Sequence, residues 1–344
     1  MLKRHIQRTG ALTRIIVVLV ILFGMLFASG SCTEGDYPAK VDTVTIAENP
    51  LETRALIYVA DDRGFFAANG INLALKNYAS GAAATNALLK GEVDLATCAE
   101  FVIVGNVLKK ENIRNIATIS KFQNTYVVGL KSRGIGNITD LKGKRIGLPR
   151  QTSAEFYLGR FLELNGLSID QVTLANFSPA ETVDALFRGT VDAAVVFEAA
   201  LQSEASKIKQ KLGDSAVIWP AQSGQFGYFN IIGTETWVAS HPEVIIRLLK
   251  SLIQAENYVV SHPDEAKAIV KKRLRYEDAY INEVWKEQRF SISLDNGLIV
   301  SMEDEARWMI KNNLTSEKTV PDFADYIYID GLNAVRPGAV NIIR

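Results

Sequence analysis

A ten-residue element occurs twice in this chain, and it restricts the possible folds more than any other feature. Ala87-Leu88-Leu89-Lys90-Gly91-Glu92-Val93-Asp94-Leu95-Ala96 matches Ala185-Leu186-Phe187-Arg188-Gly189-Thr190-Val191-Asp192-Ala193-Ala194 at an offset of 98 residues, Gly91 to Gly189. Upstream, Asn69-Gly70-Ile71 corresponds to Asn165-Gly166-Leu167. In both copies a helix ends on a basic residue, which suits the negative end of its dipole. A glycine follows that can take the left-handed C′ conformation. Val-Asp then leads into a short apolar strand. Helix–Gly–strand grammar is generic in α/β proteins and explains the glycines. It does not explain the shared Ala-Leu and Val-Asp in one register. The repeat predicts two similar α/β lobes, and 344 residues are enough for both.

The pattern around the repeat agrees. Residues 42–47 (DTVTIA) and 71–76 (INLALK) read as strands, residues 53–69 and 82–90 as helices, and 145–149 (RIGLP) as a strand ahead of a helix over 154–164. This βαβα order predicts an α/β fold with largely parallel strands. In the last third, residues 236–261, 263–274 and 302–312 read as amphipathic helices. They are expected to form a cap on the first lobe with no chemistry of its own, and Trp285 and Trp308 are expected in the core.

Ligands of open α/β sheets bind beyond the carboxyl ends of the strands. Glu100 lies six residues after Asp94, and Glu198 six after Asp192. Each is expected just past the equivalent strand, one on either wall of a cleft, where it either meets a ligand or favours a helix N-terminus. Other strand ends reach the same edge: Asn49 and Glu52 after the first, Ser80-Gly81 after the second, and Gln151-Thr152-Ser153 after RIGLP. Ser80 and Thr152 or Ser153 are candidate N-caps whose neighbouring N–H groups are ready to receive a ligand oxygen.

Residues 1–31 read as an export signal. Lys3, Arg4, Arg8 and Arg14 precede an apolar run from Ile15 to Ala28. As a helix this run would span only about 21 Å, short of a roughly 30 Å hydrocarbon core. Ala28-Ser29-Gly30-Ser31 followed by Cys32 resembles the bacterial lipobox, with Ser29 where Leu is commoner. That resemblance implies acylation of Cys32 and a membrane anchor. Residues 32–41 form a polar tether.

Composition removes several function classes. Lys+Arg 38 balance Asp+Glu 38, so no basic excess points to nucleic acid. Two cysteines and three histidines leave no zinc-site pattern, and Cys98 reads as a small buried hydrophobe. No metal and no cofactor is expected.

Gly64-Phe65-Phe66-Ala67-Ala68-Asn69-Gly70-Ile71, Ser80-Gly81, the first Ala-Leu-x-x-Gly-x-Val-Asp, Asp140-Leu141-Lys142-Gly143-Lys144-Arg145-Ile146-Gly147 and the second Gly-x-Val-Asp occur in that order. Together they resemble the substrate-binding proteins of nitrate/sulfonate/taurine-type ABC importers, a group that includes binding proteins for thiamine-pyrimidine precursors. The resemblance runs from about Asp42 to Arg344. It implies a type II periplasmic-binding-protein clamshell: lobe one at 42–124 plus 227–344, lobe two at 125–223, and crossovers near 123–126 and 222–227. It places cleft positions at Asn49 to Glu52, Ser80-Gly81, Glu100, Gln151 to Ser153 and Phe197-Glu198. Many members have Trp-Glu-Pro where this chain has Phe197-Glu198-Ala199. Phe226 and Tyr228 are candidates for an aromatic wall.

The expected function is a monomeric, lipid-anchored solute-binding protein that captures a small polar organic molecule by hinge closure. Its partners would be that solute, an ABC permease and a separate ATPase. Glu100 and Glu198 favour an amine-bearing ligand and the helix N-termini an anion; a neutral or zwitterionic nitrogen compound satisfies both. Two other classes are weighed. One is an enzyme on the same fold, with thiamine-pyrimidine or chorismate-type chemistry; the pyrimidine-forming relatives use an active-site His and a Cys-rich motif, which the chain lacks. A ligand-presenting sensor would need a signalling partner.

Overall fold

Two separate sheets divide the chain. The computed structural model describes residues 41–197 and 208–342, so the signal segment, Cys32, most of the tether and Glu198 lie outside the described residues. The first pass runs β1 (Asp42–Glu48), α1 (Ala55–Asp62), α2 (Phe65–Ala68), β2 (Ile71–Asn77), α3 (Gly81–Leu89), β3 (Leu95–Ala99), α4 (Glu100–Val107) and β4 (Ile113–Phe122). The second runs β5 (Thr125–Leu130), β6 (Arg145–Leu148), α5 (Ser153–Leu164), β7 (Thr173–Asn176), α6 (Pro179–Phe187), β8 (Ala193–Phe197), α7 (Ile208–Leu212) and β9 (Ala216–Pro220). The third runs β10 (Gly227–Thr234), α8 (Glu235–Ser240), α9 (Pro242–Ser261), α10 (Pro263–Leu274), α11 (Asp278–Val284), β11 (Gln288–Ser293), α12 (Asn296–Lys311) and α13 (Asp330–Val335).

The first and third passes share one sheet, ordered β11-β4-β10-β3-β1-β2; the second pass builds the other, ordered β7-β6-β8-β5-β9. In the first sheet β1 lies parallel between β2 and β3, and β10 is antiparallel to both β3 and β4. In the second β6 lies parallel between β7 and β8, and β5 is antiparallel to β8 and β9. The chain therefore passes between sheets twice, at residues 123–124 and 221–226.

The repeated element does the same job in each sheet. Gly91 and Gly189 end α3 and α6 at φ 71° and 66°, a region that favours glycine. The aspartate that follows stitches two parallel strands. Asp94 Oδ2 accepts the Thr45 N–H at 2.7 Å and the Thr45 hydroxyl at 2.6 Å, and Asp192 Oδ2 accepts the Arg145 N–H at 2.9 Å. The shared Val-Asp is thus a register device.

Three elements depart from the sequence expectation. The helix expected over 53–69 is divided: a 3-10 turn at Glu52–Arg54 runs into α1, and Gly64 at φ 70° separates α1 from α2. The helix expected over 236–261 breaks at His241, where Pro242 starts α9 at a first-turn position it tolerates. The helix expected over 302–312 begins earlier, because the Asp295 side chain caps Leu298 N–H. Strand β11, which adds to the edge of β4, was not anticipated.

The C-terminal helices pack on the first sheet. Ile245, Leu248, Leu249 and Leu252 on α9 are fully buried, each contributing about 1.5–3 kcal/mol. Trp308 of α12 is 5% exposed and sits in the core, while Trp285 is half-buried and packs against the core's edge on Phe290. Trp308 also meets Phe101 of α4 and Phe156 of α5, at ring separations of 6.3 and 5.7 Å, joining the two lobes behind the sheets. Gly159 makes room for it: a Cβ there would lie 2.3 Å from the indole. Among the described residues, no helix is long and apolar enough to cross a membrane.

Candidate functional site in the interlobe cleft

The carboxyl ends of the parallel strands open on a cleft of about 570 Å³. From the first sheet come Asn49 to Arg54 after β1, Tyr78 to Gly81 after β2, Ala99 and Val102 after β3, and the rings of Phe122 and Phe229. From the second come Pro149, Thr152 and Ser153 after β6, Ser178, Pro179, Ala180 and Val183 after β7, and Phe197 at the end of β8. Asn124, in the first crossover, sits between them. Most of this wall is apolar, as small-molecule sites generally are.

Three of the helices that begin at the cleft, one from the first lobe and two from the second, have a hydroxyl cap. Ser80 Oγ accepts Ala83 N–H at 3.1 Å, Thr152 Oγ1 accepts Ala154 N–H at 3.3 Å, and Ser178 Oγ accepts Glu181 N–H at 3.4 Å. A cap satisfies one of the four amides a helix start leaves open, so donors remain for a ligand. The start of α3 lies flush on β3, since a Cβ on Gly81 would come within 3.1 Å of Cys98 Cβ. Burial pushes the Cys98 thiol up to about 12. The start of α5 is pinned by Glu155, whose carboxylate accepts Gln151 N–H at 2.9 Å and Arg150 Nη2 at 2.6 Å.

A charged group that the sequence reading passed over forms the floor. Arg54 is 1% exposed and lines the cleft. Its guanidinium donates to Thr53 Oγ1 at 2.5 Å and to Asn49 Oδ1, and stacks 3.6 Å from the centroid of the Phe229 ring. Its Nε has no hydrogen-bond partner. Burial lowers its pKa to about 10. Glu52 beside it is also buried and accepts the Tyr276 hydroxyl at 3.1 Å and the Tyr280 hydroxyl at 3.5 Å. Glu48 accepts the Tyr58 hydroxyl at 2.8 Å. Burial raises both carboxyl pKa values, and Arg54 works against it. Tyr276 follows α10, so the C-terminal third contributes to the site, contrary to the expectation that it carries no chemistry.

The two crossovers are tied by one side chain. Gln222 Oε1 accepts the N–H groups of Asn124 at 2.7 Å and Thr125 at 3.0 Å, while its Nε2 donates to the carbonyls of Phe122 and Gln225, both at 3.0 Å.

Of the residues expected at the site, Asn49, Glu52, Ser80, Gly81, Thr152, Ser153 and Phe197 come together. Glu198 lies outside the described residues. Four others do not line the cleft. Glu100 stands just past β3 as expected, but its carboxylate is fully buried behind the cleft, accepting the Tyr228 N–H at 2.9 Å and the Tyr157 hydroxyl at 3.4 Å. Burial pushes it up to about 8. Gln151 is exposed, with its backbone at φ 60°. Phe226 packs under the Arg289 guanidinium, and Tyr228 lies 5.0 Å from Lys121 Nζ. Strand β10 alternates faces, so the ring that reaches the cleft is the neighbouring Phe229. His241 and His262 stack on Trp237 and Tyr258 at helix junctions and do not line the cleft.

Two facing α/β lobes, joined by paired crossovers around a ligand-sized cleft, define a periplasmic-binding-protein clamshell. Solved structures share this fold: the alkanesulfonate-binding protein of Xanthomonas axonopodis pv. citri bound to MOPS superimposes with a TM-score of 0.71 at 17% identity, over 84% of this chain and 99% of that one. The desulfurization enzyme DSZB matches with a TM-score of 0.57 at 18% identity, over 85% of this chain and 98% of that one. Residues 53–266 match the NMT1/THI5-like family, and the chain belongs to it. Relatives include the taurine-binding periplasmic protein of Escherichia coli (strain K12), 27% identical over 64% of this chain and 67% of that protein. The 4-amino-5-hydroxymethyl-2-methylpyrimidine phosphate synthase of Legionella pneumophila subsp. pneumophila is 29% identical over 43% of this chain and 46% of its own length.

Proposed function

We propose that this protein is an extracytoplasmic solute-binding protein of an ABC importer, anchored through lipidated Cys32, and that its solute is an organic anion, a sulfonate foremost. One observation carries the choice of ligand class: three helix N-termini and a buried guanidinium converge on one cleft from both lobes. The relatives named for taurine and alkanesulfonate binding support the same class. Glu100, withdrawn behind the cleft, gives no support to a cationic ligand. Capture proceeds by rotation of the lobes about the crossovers that Gln222 holds together. A ligand that touches both walls favours the closed state, because only there are all its contacts made. A permease and a separate ATPase then complete uptake.

The relative named as a pyrimidine phosphate synthase supports a rival reading, an enzyme on the same fold. The placement of both described histidines away from the cleft weighs against it. A thermal-shift series with taurine, alkyl and aryl sulfonates, nitrate, amines and pyrimidines tests the proposal. A ligand present at a hundred times its dissociation constant adds about 2.7 kcal/mol. The expected result is a higher melting temperature with sulfonates, and recovery of the solute unchanged by mass spectrometry. A shift confined to amines or pyrimidines, or a chemically altered solute, would overturn it.

A further inference from the structure

We infer that Arg54 is the specificity-determining residue of the cleft: its guanidinium contacts the anionic group of the solute, whose apolar body lies against the opposite lobe. This rests on the solute-binding reading and goes beyond it by assigning the charge selection to one side chain. Among the described residues no carboxylate stands within ion-pairing distance of Arg54; its two hydrogen-bond acceptors, Asn49 and Thr53, are neutral. Glu48 and Glu52 offset its charge only at longer range, and their hydrogen bonds come from Tyr58, and from Tyr276 and Tyr280. Arg54 is thus a cation at the floor of a cavity, 1% exposed, with an enclosed Nε–H that has no partner.

A buried charge is costly unless it is paired and fully hydrogen-bonded. A guanidinium fixed by packing is also well suited to gripping an oxyanion, because its planar fork is already oriented. Here Asn49, Thr53 and the Phe229 ring supply the fixing, and the partner is what the bound anion provides. The facing wall holds Pro149, Pro179, Val183 and Phe197, which offer a non-polar body contact and, among the described residues, no second charge. The class that fits is an aryl or branched alkyl group carrying one sulfonate or carboxylate.

The test uses the full chain in a non-ionic detergent and three near-isosteric probes: benzenesulfonate, neutral benzenesulfonamide and cationic benzamidine. Melting temperature and calorimetric affinity are read for the wild type, Arg54→Gln and Arg54→Lys. The expected result is that only benzenesulfonate binds the wild type. Arg54→Gln should weaken it at least 30-fold while melting, ligand-free, at the same or a higher temperature. Arg54→Lys, which keeps the charge without the fork, should fall between. If Arg54→Gln binds benzenesulfonate like the wild type, or if both variants melt well below it without ligand, Arg54 is a structural residue and the inference fails while the anion reading stands. Preference of the wild type for the sulfonamide or benzamidine overturns the inference and leaves solute binding intact. No response to any probe, in a protein that melts cooperatively, counts against both.

Discussion

Two nests of buried carboxylates lie in the molecule, and their contents differ. The nest under the cleft holds Glu48 and Glu52 with Arg54 and the hydroxyls of Tyr58, Tyr276 and Tyr280. The nest behind it holds Glu100 of α4 and Glu305 of α12 beside Tyr157 of α5. Both of its carboxyls are fully buried, and neither Glu305 oxygen has a hydrogen-bond partner. Burial raises the Glu305 pKa well above the usual carboxylate range, and the nearness of Glu100 adds to it. In the first nest Arg54 and phenol hydroxyls oppose the rise that burial causes. In the second the Tyr228 N–H and the Tyr157 hydroxyl oppose it at Glu100, and no cation does. The same residue type, buried in both places, has a cation beside it under the cleft and none where the lobes meet.

The largest expected effect comes from pH on the second nest. Glu100 has a folded-state pKa near 8 against 4.5 when free. Such an acid binds its proton more tightly in the native protein. Its contribution to stability is complete below pH 4.5, declines as pH rises, and is lost on passing about 8. Between pH 5 and pH 8 the native state should lose up to about 4 kcal/mol relative to Glu100→Gln, at about 1.4 kcal/mol per pH unit. Urea unfolding of both proteins at pH 5 and pH 8 measures this. A difference that stays flat between the two would remove the contrast between the nests.

Next in size is Glu305→Leu. It replaces an unpartnered carboxyl with a side chain that needs none, and should stabilise the protein at pH 8 by about 1–3 kcal/mol. A loss of stability instead would mean that Glu305 has a partner in solution. The smallest effect is expected at the first nest. Tyr276→Phe removes one donor from Glu52 and should destabilise by about 1 kcal/mol, seen as a lower urea midpoint. An unchanged midpoint would show that the phenol does not hold that charge.

The architecture was legible because the repeat encodes it in local grammar. Helix, glycine and Val-Asp recur, and the strands around them alternate as strands do. What escaped was the direction of individual side chains. Glu100 could be placed beyond its strand from spacing alone, but whether its carboxylate faces the cleft or the helices behind depends on packing by Tyr157 and Trp308, which arrive from distant segments. Phe226 and Tyr228 were chosen by proximity to the crossover, and the parity of β10 selects Phe229. Arg54 was hidden by the reading of 53–69 as one helix, in which an arginine is an ordinary surface residue. The signal that locates it is Asn49-Pro50 directly after a strand, which delays the helix and leaves Glu52–Arg54 as a turn at the strand end. Tyr276 gave no signal at all, because its contact with Glu52 spans 224 residues.

The close seating of α3 on β3 has a practical consequence. Cys98 is sealed beneath Gly81 with its thiol fully buried and held protonated, so alkylating reagents cannot reach it in the native fold. It reacts only during moments when the helix lifts from the strand. Because Ser80 and Gly81 at that helix start also line the cleft, a bound solute should hold the lid shut. The rate of thiol labelling thus becomes a clock for how often the first lobe breathes, and the slowing of that clock a direct count of occupied molecules.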